Sequence, residues 1–105
     1  MNTNTHLDRE TVISQLRRSR AELESAGARH LALFGSLARG KAEPDSDVDF
    51  AVVYDRAKVR SLFDMGGLAA RISEIIGTDR IDLADEETLR APVRRHFERE
   101  HVRIF

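Results

Sequence analysis

The sequence predicts a small α/β (α+β) fold in which helices pack on a β-sheet. Three observations carry this. At 105 residues the chain has the length of one small domain, 1–105. Two long stretches, 8–26 and 60–76, space their apolar residues at helical intervals. Three short apolar runs, 31–34, 47–53 and 80–84, are bounded by glycine, proline or charged residues and read as strands.

The elements follow in order. Asp8 can cap the first helix, Val12, Ile13, Leu16 and Leu23 form its apolar stripe, and Gly27 stops it. The cluster Arg17-Arg18-Ser19-Arg20, soon followed by Glu22 and Glu24, reads as a solvated helix face. Residues 31–34, Leu-Ala-Leu-Phe, form a short buried strand. Gly35 lets the backbone turn sharply, and Ser36 suits the N-cap of a short helix led by Leu37 and Ala38. Residues 41–46 are a turn-rich loop. In the strand 47–53, residues two apart share a face, so Asp47 and Asp49 project together and Val48, Phe50 and Val52 line the other side. Tyr54, on the opposite parity, packs.

The second long helix, 60–76, offers Leu62, Leu68, Ala69, Ile72, Ile75 and Ile76 to the core. Phe63 and Met65 are expected to pack as well. Gly66-Gly67 inside it points to a kink or to close helix packing, and Gly77 ends it. In Ile81-Asp82-Leu83 the apolar residues flank Asp82, which takes the other face. A parallel or an antiparallel pairing with the 47–53 strand would bring Asp82 beside Asp47 and Asp49. Residues 87–100 read as a helix with Pro92 near its start. Val102 and Ile104 alternate in a final short strand.

Composition excludes several classes. The 17 basic and 18 acidic residues nearly cancel, which argues against broad electrostatic binding to nucleic acid. The absence of cysteine removes any disulfide framework and fits a reducing cytoplasm. No apolar run reaches membrane-spanning length, and Met1–His6 lacks the apolar core of a signal peptide. The four histidines show no zinc spacing; they are expected on the surface or in packing, with His6 in a polar N-terminal tail.

The chemistry lies in Phe34-Gly35-Ser36-Leu37-Ala38-Arg39-Gly40 and Asp47-Val48-Asp49. Free backbone N–H groups at a helix start, the Ser36 hydroxyl and the Arg39 cation suit a phosphate. Two neighbouring carboxylates repel unless a cation sits between them, and hard oxygen ligands that leave room for phosphate favour magnesium. A lone Asp-x-Asp is weak in a chain with nine aspartates, but Gly-Ser-x10-Asp-x-Asp in a strand-turn-helix-strand context is far more specific.

Gly35-Ser36-Leu37-Ala38-Arg39-Gly40, Pro44-Asp45-Ser46-Asp47-Val48-Asp49-Phe50 and Ile81-Asp82-Leu83 resemble the minimal nucleotidyltransferases (MNT) of the DNA polymerase β-like superfamily. The resemblance runs from the N-terminal helix to the end of the chain. It implies a polymerase-β-like fold with a small mixed sheet whose helices cover one face. It implies that Gly35 and Ser36 bind the triphosphate of ATP, where the Arg39 cation read from the residues themselves would join them. Asp47 and Asp49 would hold two Mg2+ ions; Asp82 would bind one and help deprotonate the attacking hydroxyl. It further implies an antitoxin that transfers AMP to a tyrosine of a HEPN ribonuclease toxin. Two rivals are an antitoxin that merely masks its toxin and a transferase acting on a small molecule such as an aminoglycoside. The lack of room for a second, substrate-gripping domain speaks against the latter.

Overall fold

The structure, a computed structural model, describes residues 7–43 and 45–105. Pro44 of the 41–46 loop and the tail that contains His6 lie outside the described residues. The elements are α1 (Arg9–Arg18), α2 (Arg20–Ser25), β1 (Ala28–Phe34), α3 (Gly35–Ala38), β2 (Val48–Tyr54), α4 (Leu62–Ile76), β3 (Ile81–Asp85), a 3-10 turn (Glu86–Thr88), α5 (Val93–Glu100) and β4 (Val102–Arg103). Among the described residues no helix is long and apolar enough to cross a membrane.

The sheet has the order β3-β2-β1-β4 and is mixed. β1 runs antiparallel to both β2 and β4, whereas β2 and β3 are parallel. The connections dictate this: α4 carries the chain from the end of β2 back to the start of β3, the crossover that a parallel pair requires.

One face of the sheet meets α1, α2 and α4. Val12, Leu16, Leu23, Leu68 and Ile72 close on Leu31, Leu33, Phe50 and Val52, all fully buried. Each such side chain contributes about 1.5–3 kcal/mol over its exposed state. The other face is covered in part by α5, whose buried Phe97 sits on Ala32 and Ala51, with Phe34 and Leu89 around it. Helices therefore lie on both faces, not on one. The small side chains of Ala32 and Ala51 leave room for the Phe97 ring.

The predicted helix 8–26 is two helices. Asp8 caps α1 by accepting from the Thr11 N–H at 3.0 Å, but Ser19, at φ −97° and ψ 15°, leaves helical geometry and ends it. The basic cluster around that break is not merely solvated. Arg17 donates to the carbonyls of Ile104 (3.1 Å) and Arg103 (3.0 Å), and Arg20 lies 5.3 Å over the Phe105 ring. Together they clamp the C-terminal segment, where Ile104 and Phe105 are both buried and Val102 only partly so.

α4 starts at Leu62 behind a reciprocal cap: the Ser61 hydroxyl accepts from Asp64 N–H, and the Asp64 carboxylate accepts from Arg60 N–H. Gly77, at φ 81°, ends it. Phe63 is 88% exposed and Leu62 83%, contrary to expectation, while Met65 packs. Phe63 stands five residues before Leu68, about 140° away around the helix, and so faces outward. A Cβ on Gly66 or Gly67 would meet nothing within 4 Å, so close packing does not explain these glycines. The predicted helix 87–100 shrinks to the 3-10 turn and α5; Leu89 is extended and Pro92 becomes the N-cap, as a residue without an N–H must lie at or before a helix start.

Candidate active site

The register of the sheet assembles the site. Asp49 pairs with Phe34 across β1/β2 and with Asp82 across β2/β3. Because Phe34 ends β1, the next residue, Gly35, lies against Asp49. Gly35 has φ 78°, and a Cβ there would overlap Oδ2 of Asp49 and lie 3.0 Å from its Cγ. The close backbone approach expected of Gly35 is thus to the Asp49 carboxylate, which the turn cradles directly.

α3 is one turn, Gly35–Ala38, anchored by buried Leu37 and Ala38. Phe34, not Ser36, is its N-cap, and no side chain caps it. Ser36 therefore sits in the first turn, two positions beyond the N-cap place expected for it. A single turn has little macrodipole, so the attraction for a phosphate rests on the first-turn N–H groups, which have no intrahelical acceptor.

Asp47 lies just before β2, not within it, and is exposed; Asp82 is exposed in β3, and Asp49 is half-buried between its neighbours. The charges around Asp49 act on its carboxyl. Burial pushes the Asp49 carboxyl above its ordinary 3.8, the negative charges of Asp82 and then Asp47 push it further, and the Arg39 charge works in the opposite direction. Four of the residues singled out in the sequence thus act on one locus. Arg39 also makes a contact that sequence reasoning missed: its Nη1 lies 3.0 Å from Oε1 of Glu100, at the end of α5. The two are 61 residues apart, and no local pattern links them.

Tyr54 is buried, and burial, followed by the charge of Asp85, raises its hydroxyl above the ordinary 10.0; it packs as expected. His101 packs as well, stacked 4.3 Å from the Phe97 ring, and His30 is exposed. A depression of about 380 Å³, lined by Glu24, Ala28, Arg29, His30, Asp55 and Lys58, lies at the opposite end of β1 and β2.

A turn that cradles one of three convergent carboxylates suits a triphosphate held beside divalent cations. Residues 21–105 match the polymerase β nucleotidyltransferase family. The chain is a nucleotidyltransferase of that family. The protein adenylyltransferase MntA of Thermococcus cleftensis is 32% identical over 81 residues, which span 77% of this chain and 79% of that one. A solved minimal nucleotidyltransferase is 30% identical with a TM-score of 0.75, over 94% of this chain and 98% of that one. A toxin–antitoxin structure with AMP-PNP (TM-score 0.62, 21% identity, 94% and 73% covered) shares the fold. So does an MNT antitoxin in complex with tri-AMPylated Shewanella oneidensis HEPN toxin (TM-score 0.59, 17% identity, 89% and 71% covered).

The donor set of this nucleotidyltransferase fits magnesium by its chemistry. Among the described residues no three carboxylate, histidine or cysteine side chains stand close enough together to hold an ion. Magnesium does not require such a trio: one or two carboxylates suffice, with water and substrate phosphate completing its shell. Burial raises the Asp49 carboxyl first, and the further rise from the neighbouring Asp82 and Asp47 charges is what a cation would relieve.

Proposed function

We propose that this nucleotidyltransferase is an antitoxin that transfers AMP from ATP to a tyrosine hydroxyl of a HEPN ribonuclease toxin and thereby neutralises it. The observation that carries the reading is the convergence of Asp47, Asp49 and Asp82 beside the Gly35–Ser36 turn. The adenylyltransferase name of the Thermococcus relative supports AMP as the transferred group. Structural neighbours that pair an MNT antitoxin with a HEPN toxin support the partner.

In this reading the first-turn N–H groups and the Ser36 hydroxyl hold the triphosphate, and Arg39 adds a cation. Asp47 and Asp49 would hold two Mg2+ ions and Asp82 one of them; bound there, the ions neutralise charge on the attacking and leaving oxygens. The tyrosine oxygen attacks the α-phosphorus, and the bond from that phosphorus to the bridging oxygen breaks. Pyrophosphate leaves with the electron pair, and the tyrosine proton passes to the Asp82 carboxylate, which is exposed and so reachable by a docked partner. The remaining catalysis is alignment of the reacting atoms.

The test is direct. The protein is incubated with ATP, Mg2+ and the HEPN protein encoded beside it, and the partner's intact mass is measured. Addition of whole AMP units, mapped to tyrosine, is expected. An unchanged mass together with inhibition confined to the complex would replace the transferase reading with masking.

A further inference from the structure

Arg39 follows directly on the cradle turn, as the C-cap of α3. A long side chain there can adopt many rotamers, and holding it toward a ligand costs entropy unless something fixes it. α5 supplies a fixed point. Phe97 is buried against Ala32 and Ala51, its ring 5.5 Å from Phe34 in an edge-on contact. Phe34 immediately precedes Gly35, so α5 is seated on the residue that leads into the cradle. Glu100 stands three residues after Phe97 and therefore shares its side of the helix. His101 closes α5: its ring stacks on Phe97, and its Nδ1 lies 2.7 Å from the Phe97 carbonyl oxygen. The Glu100 carboxylate, 22% exposed, is thus held by a seated helix and meets Arg39 at 3.0 Å.

We infer that Glu100 is a positioning residue: by its contact with Arg39 it holds that guanidinium beside the Gly35–Ser36 turn, ready for the triphosphate. The inference rests on the proposed nucleotide site. It gives α5 a task in nucleotide binding that the three aspartates do not reveal. It also opposes a simpler alternative, in which Glu100 competes with phosphate for Arg39 and weakens nucleotide binding.

The experiment measures the Kd for ATP with Mg2+ by calorimetry on the whole protein, together with the KM for ATP and kcat in transfer to the HEPN partner. Glu100→Ala is expected to raise Kd and KM about three- to tenfold, the loss of one charge-assisted contact, with kcat at saturation little changed. Glu100→Gln keeps an acceptor for Arg39 and should recover most of the affinity. Glu98→Ala, on the same helix, changes a 59% exposed side chain 3.6 Å from Arg94 and serves as the control. Unchanged Kd in Glu100→Ala with a lowered Tm would mean a structural ion pair only and overturn the inference. Tighter binding would overturn it in favour of competition. If the wild type binds ATP but modifies no partner, the transferase reading fails while the Kd series still decides the role of Glu100. If the wild type binds no ATP, the inference falls with the site.

Discussion

Asp49 and Asp82 are register partners on the parallel strands β2 and β3. Neighbouring strands are about 4.8 Å apart, so the two carboxylates are adjacent on one face of the sheet, and like charges so placed oppose folding. The cost appears at Asp49, whose carboxyl is raised first by burial and then by Asp82 and Asp47. The candidate site is thus in tension with stability.

Asp49→Asn should relieve that tension. A carboxyl raised in the folded state binds its proton more tightly there than in the unfolded chain. Its contribution to stability is therefore greatest below the ordinary 3.8 and is lost as pH climbs through the raised value. Without Mg2+, the variant should melt at or above the wild-type Tm at pH 7, and this advantage should shrink on acidification toward pH 3.8. Transfer should fall about 100-fold or more, the loss of several kcal/mol of charge stabilisation. Thermal melts across pH in EDTA check the first part. A variant clearly less stable than wild type at neutral pH would contradict the repulsion argument.

Gly35→Ala isolates the close approach to Asp49. The left-handed backbone alone costs an alanine about 1–2 kcal/mol. Gly40, at φ 74° with open space around it, gives that cost by itself; Gly35 adds the overlap with the Asp49 carboxylate. Gly35→Ala should destabilise more than Gly40→Ala, and the excess should diminish in an Asp49→Ala background, which removes the obstructing oxygens. Denaturant titrations of the four variants form the cycle. An excess unchanged in the Asp49→Ala background would show that the obstruction lies elsewhere.

The parts of this design that were legible in the sequence are those written in local spacing. The Asp47/Asp49 interval, Asp82 between Ile81 and Leu83, and the positions of α4, β2 and the C-terminal half of β1 needed only periodicity; β1 begins at Ala28, three residues before the apolar run 31–34, because Arg29 and His30 are exposed strand residues that carry no apolar signal. Which strands adjoin was not legible, because pairing depends on where α4 returns the chain, and that fixed the Asp49–Asp82 register. The break at Ser19 escaped because apolar spacing runs through it from Leu16 to Leu23. The duties of Arg17 at the C-terminus and of Glu100 at Arg39 escaped because both link residues far apart in sequence. Phe63 is exposed because helical phase, not hydrophobicity, decides which way its side chain faces.

Ser36→Ala should leave stability intact. Its hydroxyl caps nothing in α3, so the helix does not depend on it. ATP use should weaken by about 0.5–1.5 kcal/mol for one lost hydrogen bond, more if that bond reaches a charged phosphate. An unchanged KM for ATP would place the triphosphate away from this turn.

Asp82→Asn separates chemistry from binding. Asp82 is exposed, and in the proposed reading the Gly35–Ser36 turn and Asp49 still hold the nucleotide without it. Loss of a general base lowers the rate about 10²–10⁴-fold, so kcat should collapse while the KM for ATP moves little. Single-turnover transfer at saturating ATP reads this out. A normal saturated rate with poor ATP affinity would reduce Asp82 to a nucleotide-binding residue.

The Asp47→Asn/Asp49→Asn pair decides between enzyme and mask. Asparagine keeps the shape of each side chain and removes both charges, so any surface that docks a toxin elsewhere on the fold stays intact. If neutralisation is covalent, the double variant should still bind the HEPN partner yet fail to protect cells from it. The partner should then keep its unmodified mass and its ribonuclease activity after the two proteins are separated. Wild-type treatment should leave the separated partner heavier and inactive, because an ester to phosphate on tyrosine survives dissociation and a masking contact does not. Binding and protection must therefore part company in the variant; protection equal to wild type by the double variant would make the carboxylates dispensable and the antitoxin a mask.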